Sequence, residues 1–256
     1  MHAHALCIMA LLAAHTLEAQ RVVPPSGRKI PAVSVHALAQ GRSECVILLH
    51  GLLRTPRCMK KMARFLDAEG YDVYNIGYPS NRLSVEQLAP LVFETIDAQV
   101  RQHEYQKVHF IVHSLGSVLL RHHLKEHPLA NLGRSVLLAP PSQGSEVVDH
   151  LGGLFLYEWL NGPAGLQLGT GPDSVPNRLG RANFECGVLA GRKSINLILS
   201  TFFPGENDGK VSVERAKLKG MKDFRILDVA HPFIMQDAKA LRLSLHFLRE
   251  GTFGPP

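Results

Sequence analysis

The chain has 256 residues, 45% hydrophobic and 20% charged, enough apolar content for a sizeable core and too much for a disordered polypeptide. Its formal net charge of +6 comes from scattered basic residues; Arg54, Arg57, Lys60, Lys61 and Arg64 read as the solvated face of one helix, and no nucleic-acid module is visible, so no nucleic-acid partner is expected. Four cysteines (Cys7, Cys45, Cys58, Cys186) lack metal-ligand spacing and fourteen histidines lack a His-Glu-x-x-His pattern, so no metal site is expected.

In chain order, Leu6 to Ala14 is apolar and leads to Leu17-Glu18-Ala19, a loose match to a signal-peptidase site. The run is too short to span a membrane as a helix. Met1-His2-Ala3-His4 lacks lysine and arginine, and Glu18 is unusual beside a cleavage site. The balance nevertheless favours a signal peptide over residues 1–19 and a periplasmic or secreted protein over a cytoplasmic one. Residues 20–256 then form a single domain.

Gln20 to Gly41, with Pro24, Pro25 and Pro31, reads as an extended lead-in with an edge strand at Val33–Ala37. Cys45–Leu49 suits a central strand with Cys45 packed in it, and it ends in His50-Gly51-Leu52, where glycine lets the backbone bend and turn the next N–H inward. Thr55 can cap a helix from Pro56 whose apolar face is Met59, Met62, Ala63 and Leu66, closed by Gly70. Tyr71–Ile76 is the next strand. Ser84-Val85-Glu86-Gln87 is a capping box opening a helix with Leu88, Leu91, Val92, Thr95, Ile96 and Val100 at helical spacing.

Val108 to Val112 is an apolar strand that turns at Ser114-Leu115-Gly116 into a helix-compatible run ending near His127-Pro128. A serine at such a turn holds its Oγ clear of the sheet, beside the unpaired N–H groups of a helix N-terminus. The full elbow pattern is G-x-S-x-G, and Val112 stands at its first glycine. Taken alone, the segment reads equally as a strand, turn and helix with a serine N-cap. Ser135–Ala139 is a further strand, stopped by Pro140-Pro141. This alternation predicts a doubly wound, mostly parallel sheet with helices on both faces. His50-Gly51-Leu52 and Ser114 both fall beyond strand carboxyl ends, where such sheets bind ligands.

Ser142 to Gly187 breaks the rhythm with many glycines around Leu154-Phe155-Leu156-Tyr157-Glu158-Trp159-Leu160. It reads as an inserted cap over the site, about residues 142–187; Phe155 and Trp159, four apart, also fit a helix pinned to the core. A Cys58–Cys186 bridge stays open in an oxidising compartment. Ile195–Leu199 is expected as the penultimate strand, Phe224–Leu227 as the last, and Ala238–Leu248 as the closing helix.

A serine nucleophile needs a base for its proton and a carboxylate to orient that base. Asp208, in the turn Asn207-Asp208-Gly209, follows the penultimate strand; His231, stiffened by Pro232, follows the last. Glu206 fits the turn less well, and Asp223 and Asp228 read as surface charges. His246 sits on the closing helix, His50 and His113 read as structural, and Arg121 as one half of a structural ion pair.

On His50-Gly51-Leu52, Val112-His113-Ser114-Leu115-Gly116, Ser117 to Arg121, Leu138 to Ser145, Asn207-Asp208-Gly209 with Val211, and His231, the chain from Cys45 to Leu248 resembles the α/β-hydrolase superfamily. It is most similar to bacterial serine esterases and lipases whose elbow leads into an arginine-bearing helix. It departs from them at Val112, at Ser117, where glycine is commoner, and at Pro232. The resemblance implies an α/β-hydrolase fold with an inserted cap. It also implies Ser114 as nucleophile, His231 as general base and acid, Asp208 as orienting carboxylate, and the N–H groups of Leu52 and Leu115 as oxyanion hole. The implied activity is that of a serine carboxylic ester hydrolase, working through an acyl-enzyme on a small-molecule ester or lipid, with no metal and no cofactor expected. An acyltransferase on the same residues and a non-catalytic binding protein on a degenerate hydrolase fold are the alternatives. Leu151, Leu154, Phe155 and Leu156 in the cap point towards an acyl chain and peripheral contact with membrane lipid.

Overall fold

The computed structural model describes residues 31–195 and 203–254. The signal-peptide reading at 1–19, and all but the first residue of the strand expected over Ile195–Leu199, lie outside them. Among the described residues, seven strands form one sheet: β1 (Ser34–Leu38), β2 (Glu44–Leu49), β3 (Asp72–Gly77), β4 (Lys107–His113), β5 (Leu132–Leu138), β6 (Cys186–Gly191) and β7 (Asp223–Leu227). The spatial order is β1-β3-β2-β4-β5-β6-β7. Only β1 runs antiparallel to its neighbour, β3; every other pair is parallel.

The strands carry near-continuous apolar runs because both sheet faces are covered. On β2 and β4, Cys45, Ile47, Leu49, Val108, Phe110 and Val112 face one core with α2 (Val85–Val100) and α3 (Leu115–Glu126). Val46, Leu48 and Ile111 face the other, with α1 (Lys60–Ala68) and the closing helix α7 (Ala238–Glu250). The capping box at Ser84 and Gln87 forms as expected. Thr55 makes no side-chain cap: Pro56–Met59 is a 3-10 turn that leads into α1, and Met59, Met62, Ala63 and Leu66 are buried as the spacing predicts. Arg54, Arg57, Lys60, Lys61 and Arg64 are exposed.

Among the described residues, the strand before β7 is Cys186–Gly191, which the sequence reading did not pick out. Its two glycines suppress the strand signal, and both are required by packing. A Cβ at Gly187 would stand 2.6 Å from Phe247 and Phe253, and one at Gly191 2.4 Å from the Val229 carbonyl. The cap therefore ends before residue 186 and consists of α4 (Glu146–Leu151), α5 (Phe155–Leu166) and α6 (Val175–Leu179). The Cys58–Cys186 bridge does not form; the described cysteines, Cys45, Cys58 and Cys186, are all free thiols, Cys186 being fully buried in β6.

Among the described residues Arg121 makes no ion pair. Its buried guanidinium donates to the carbonyls of Ser142 (3.1 Å), Pro176 (2.9 Å) and Gly180 (2.8 Å), tying α3 to both feet of the cap. Burial lowers its pKa to about 10, so it remains charged at neutral pH. Three carbonyls, those of Ser142 and Gly180 outside regular structure and that of Pro176 in the short helix α6, thus find a buried donor.

Several histidines are buried in neutral form. His50 Nδ1 bonds the Gly51 carbonyl at 2.9 Å, and its Nε2 accepts from the Tyr78 N–H at 3.3 Å, so a second proton has no place to sit. Burial lowers His50 from 6.5 to about 4, and His123, stacked on Phe93 at 3.8 Å, likewise to about 4 through burial and the neighbouring His127. An unfolded chain protonates such rings near 6.5, so it binds more protons than the fold below that pH. Stability is therefore fully present above 6.5 and declines as pH falls towards 4, by on the order of 3 kcal/mol from His50. Calorimetry from pH 7 to pH 4.5 should show Tm falling steadily, with a shallower fall in His123→Phe; a flat Tm over that range would contradict the neutral-histidine assignment.

Candidate active site

The carboxyl ends of β2, β4, β5, β6 and β7 converge beneath the cap on a cleft of about 390 Å³. Ser114 lies between β4 and α3 with φ 50° and ψ −117°, a backbone conformation rare for a side-chain-bearing residue. Three bonds hold it there. Its N–H donates to the Leu138 carbonyl at 3.0 Å, and its carbonyl accepts from the Ser117 N–H at 2.9 Å and the Ser117 hydroxyl at 2.6 Å. Ser117, which departs from the usual glycine, thus braces the turn. Val112 is absorbed as a fully buried β4 residue paired with Leu49 and Leu137.

His231 Nε2 lies 3.0 Å from Ser114 Oγ, and His231 Nδ1 lies 2.8 Å from Asp208 Oδ2. The other carboxylate oxygen, Oδ1, accepts from the N–H groups of Lys210 and Val211, each at 2.9 Å. The His231 N–H donates to the Asp208 carbonyl at 3.0 Å, so the two loops are joined through backbone as well as side chain. Asp208 is 2% exposed, whereas Ser114 and His231 are each 8% exposed, so the carboxylate is sealed while the serine and histidine reach the cleft. These contacts can carry a proton from Oγ to Nε2 while the carboxylate steadies the resulting imidazolium.

His113, next to the serine, is fully buried, its Nε2 3.1 Å from the His231 carbonyl. Burial, and then the charge of His231, push its pKa well below 6.5, so it stays neutral and supports the base loop. Glu206 and Asp228 both pair with Arg192, Asp223 pairs with Arg225, and His246 Nδ1 bonds the Thr252 carbonyl. None of the four enters the lining.

The turn after β2 presses against the elbow. A Cβ on Gly51 would meet His113 Nδ1 at 2.7 Å and Ser114 Cβ at 3.1 Å; one on Gly116 would meet the Leu49 Cβ at 2.8 Å and carbonyl at 2.9 Å. Leu52, which follows Gly51, lines the cleft, and Leu115, the first residue of α3, follows the serine directly. Leu53 next adopts φ 56°, its N–H held by Ser80 Oγ at 3.0 Å. Gly116→Ala is expected to lose about 1–3 kcal/mol of stability, because backbone atoms rather than a flexible side-chain end meet the new methyl. It should also lower kcat about ten-fold or more by parting the two turns. Chemical denaturation and kinetics on one preparation check both, and wild-type values in each would show that the glycine is not needed.

The cap docks through polar contacts. Asn81 donates to the Leu160 carbonyl at 3.0 Å, Gln167 Oε1 accepts from the Val85 N–H at 2.7 Å, and the Ala164 N–H reaches the Leu83 carbonyl at 3.1 Å. Glu146 Oε1 accepts from Ser212 Oγ at 2.8 Å and Arg215 Nε at 2.9 Å, joining the cap to the loop that bears Asp208. The face of α5 towards the serine carries Tyr157, Asn161 and Gly165; Leu52, Val148, Leu168 and Val211 complete an apolar wall. Leu151, Leu154 and Phe155 do not line the cleft. Phe155 is 79% exposed and Trp159 60%, so they do not pin the helix to the core; with Leu154 and Leu160 they form an outward apolar face. Helical periodicity shows that residues share a face, not which way that face points.

Sequence reasoning missed Tyr157, Asn161, Ser80 and the Glu146–Arg215 pair, none of which belongs to a motif. A larger groove of about 680 Å³ lies at the opposite strand ends among Glu44, Lys107, Arg134 and Glu185; it contains neither Ser114 nor His231. Among the described residues no cluster of His, Cys, Asp or Glu could hold a metal ion, and no helix is long and apolar enough to cross a membrane.

The architecture, with a strained serine between a parallel strand and a helix and Asp and His supplied by later strand ends, is the α/β-hydrolase fold. Solved structures agree. The mature form of the Bacillus licheniformis lipase BlEst2 superposes with a TM-score of 0.68 at 22% identity over 86% of this chain and 98% of that one. A structure from a study of LipS and LipT, two metagenome-derived lipolytic enzymes, gives 0.61 at 13% identity over 87% and 100%. Phospholipase PlaB from Legionella pneumophila gives 0.61 at 16% over 74% of this chain and 53% of that one. No protein-family model and no curated protein sequence matches the chain.

Proposed function

We propose that the protein is a serine hydrolase of carboxylic esters, working through an acyl-enzyme on Ser114. The observation that carries this reading is the continuous chain Ser114 Oγ, His231, Asp208, at 3.0 and 2.8 Å, on the floor of a capped, largely apolar cleft. Ser114 Oγ attacks the ester carbonyl carbon as its proton passes to His231 Nε2. The carbonyl oxygen becomes an oxyanion facing the N–H groups of Leu52 and Leu115, each such donor typically supplying roughly 2.7–4 kcal/mol of transition-state stabilisation. Collapse breaks the bond to the alcohol oxygen, which takes the proton from His231 and leaves as the alcohol. Water then attacks the acyl-Ser114 carbonyl, giving its proton to His231. Return of that proton to Ser114 Oγ releases the carboxylic acid.

The substrate is a small ester or lipid whose acyl chain lies along Leu52, Val148, Tyr157, Leu168 and Val211. The outward face of Leu154, Phe155, Trp159 and Leu160 is the part of the cap that would rest on membrane lipid during peripheral contact. Export to the periplasm or medium is consistent with such a role.

A fluorophosphonate tests the reading directly. It should label the wild type at one site per chain and leave Ser114→Ala unlabelled; an unlabelled, folded wild type would refute the nucleophile. Transfer of the acyl group to an added alcohol in place of water would instead mark an acyltransferase.

A further inference from the structure

Two cationic side chains line the cleft, and among the described residues neither is in ion-pair contact with a carboxylate. Arg54 lies two residues beyond Leu52, and Lys210 two beyond Asp208; both border the same cleft as Ser114. Many basic residues elsewhere are paired, including Arg42 with Asp67, Arg134 with Glu185, Arg215 with Glu146 and Arg249 with Glu69. Among the described residues neither Arg54 nor Lys210 has an ion-pair partner. The one carboxylate in the lining, Asp208, is already occupied by His231 and two backbone N–H groups.

Their backbones are fixed by the contacts that build the catalytic centre. The Arg54 N–H donates to the Gly51 carbonyl at 3.2 Å. The Lys210 N–H donates to Asp208 Oδ1, and the Lys210 carbonyl accepts from Ser145 Oγ at 2.6 Å, so this residue is tied to both triad and cap. Partial burial pushes the Lys210 pKa down; Asp208 opposes that shift and the nearby Arg54 charge adds to it. With Arg54 and Lys210 positive and Asp208 negative, the lining keeps a net positive charge that favours an anion in the cleft.

We infer that Arg54 and Lys210 form an anion subsite, and that the preferred substrates are esters carrying a carboxylate or phosphate a short distance from the scissile carbonyl. Arg54 offers a planar fork of donors and Lys210 a point charge, a pair suited to an oxyanion group with several acceptors. The subsite presupposes the ester-hydrolase reading of the same cleft for its kinetic test, and a binding test stands apart from it.

The kinetic test compares p-nitrophenyl hydrogen adipate with p-nitrophenyl hexanoate for an anion on the acyl side, and dihexanoyl phosphatidic acid with dihexanoylglycerol for one on the alcohol side. In at least one pair the charged ester should be favoured in kcat/KM by about 10- to 100-fold at low salt, the range expected for charge-assisted hydrogen bonds. The ratio should approach one in the double variant Arg54→Gln, Lys210→Gln, and should shrink in the wild type at 1 M salt, where the Debye length is about 3 Å. The pair that responds identifies which side of the ester carries the charge. Equal rates within both pairs, or a preference that survives in the double variant, would overturn the subsite.

The binding test uses octyl phosphate against octanol by calorimetry. Octyl phosphate should bind the wild type at least ten-fold more tightly than it binds the double variant, with no such difference for octanol. Equal affinities of wild type and double variant for octyl phosphate would overturn the subsite. A folded protein that hydrolyses none of the four esters yet shows this difference would refute the hydrolase reading and leave the anion subsite standing.

Discussion

Ser114→Ala is expected to lower kcat on p-nitrophenyl esters by roughly 10⁴- to 10⁶-fold, the range seen when a triad nucleophile is removed and binding and oxyanion contacts remain. The change removes one oxygen, and the contacts that hold the elbow all run through backbone: the Ser114 N–H to Leu138, and the Ser114 carbonyl to Ser117. The fold should therefore survive, although alanine must accept φ 50° as serine does. Assaying acetyl to palmitoyl esters with wild type and variant side by side checks the size of the loss and gives the chain-length preference. Comparable rates from the two proteins would exclude Ser114 as the nucleophile.

Asp208→Asn should cost about 10⁴ in kcat with little loss of stability. Asparagine has the same shape, and its Oδ1 can go on accepting from the Lys210 and Val211 N–H groups. Its NH₂ then faces His231 Nδ1, where the carboxylate oxygen stood at 2.8 Å, and it can only donate. His231 must offer a lone pair at Nδ1 and carry its proton on Nε2, so it can no longer take the proton of Ser114. Flipping the amide restores the tautomer only by aiming NH₂ at two backbone donors in a site 2% exposed, so the inactive arrangement wins. Stopped assays and thermal denaturation of the same preparation are the check. A loss under ten-fold would show that another group orients His231.

The resemblance rests on residues that remain legible in one dimension because each is bound to a turn. Ser114 can be found because a strand must end and a helix begin around it. Asp208 and His231 can be found because glycine and proline mark their loops. Arg121 reads in the sequence as half of a structural ion pair, yet its partners are carbonyls from residues 142, 176 and 180, and no local pattern announces a carbonyl acceptor. The strand Cys186–Gly191 stayed hidden because its glycines, required by Phe247, Phe253 and Val229, lower the very propensity by which a strand is read. Packing overrode local preference there.

The amino-acid sequence by itself determined the alternating strands and helices, the capping box, the elbow serine and the order of serine, aspartate and histidine. These follow from hydrophobic periodicity and turn chemistry, which act over a few residues at a time. Only the tertiary structure decided that Ser114 Oγ and His231 Nε2, 117 residues apart, stand at 3.0 Å. It also decided that the cap turns Phe155 and Trp159 outward and Tyr157 and Asn161 inward, and that Arg54 and Lys210 share one cleft mouth. The physical reason is common to all three. Direction and distance between remote side chains are set by how the two sheet faces and the cap bury their apolar surface together, a property of the whole packed chain that no short stretch contains.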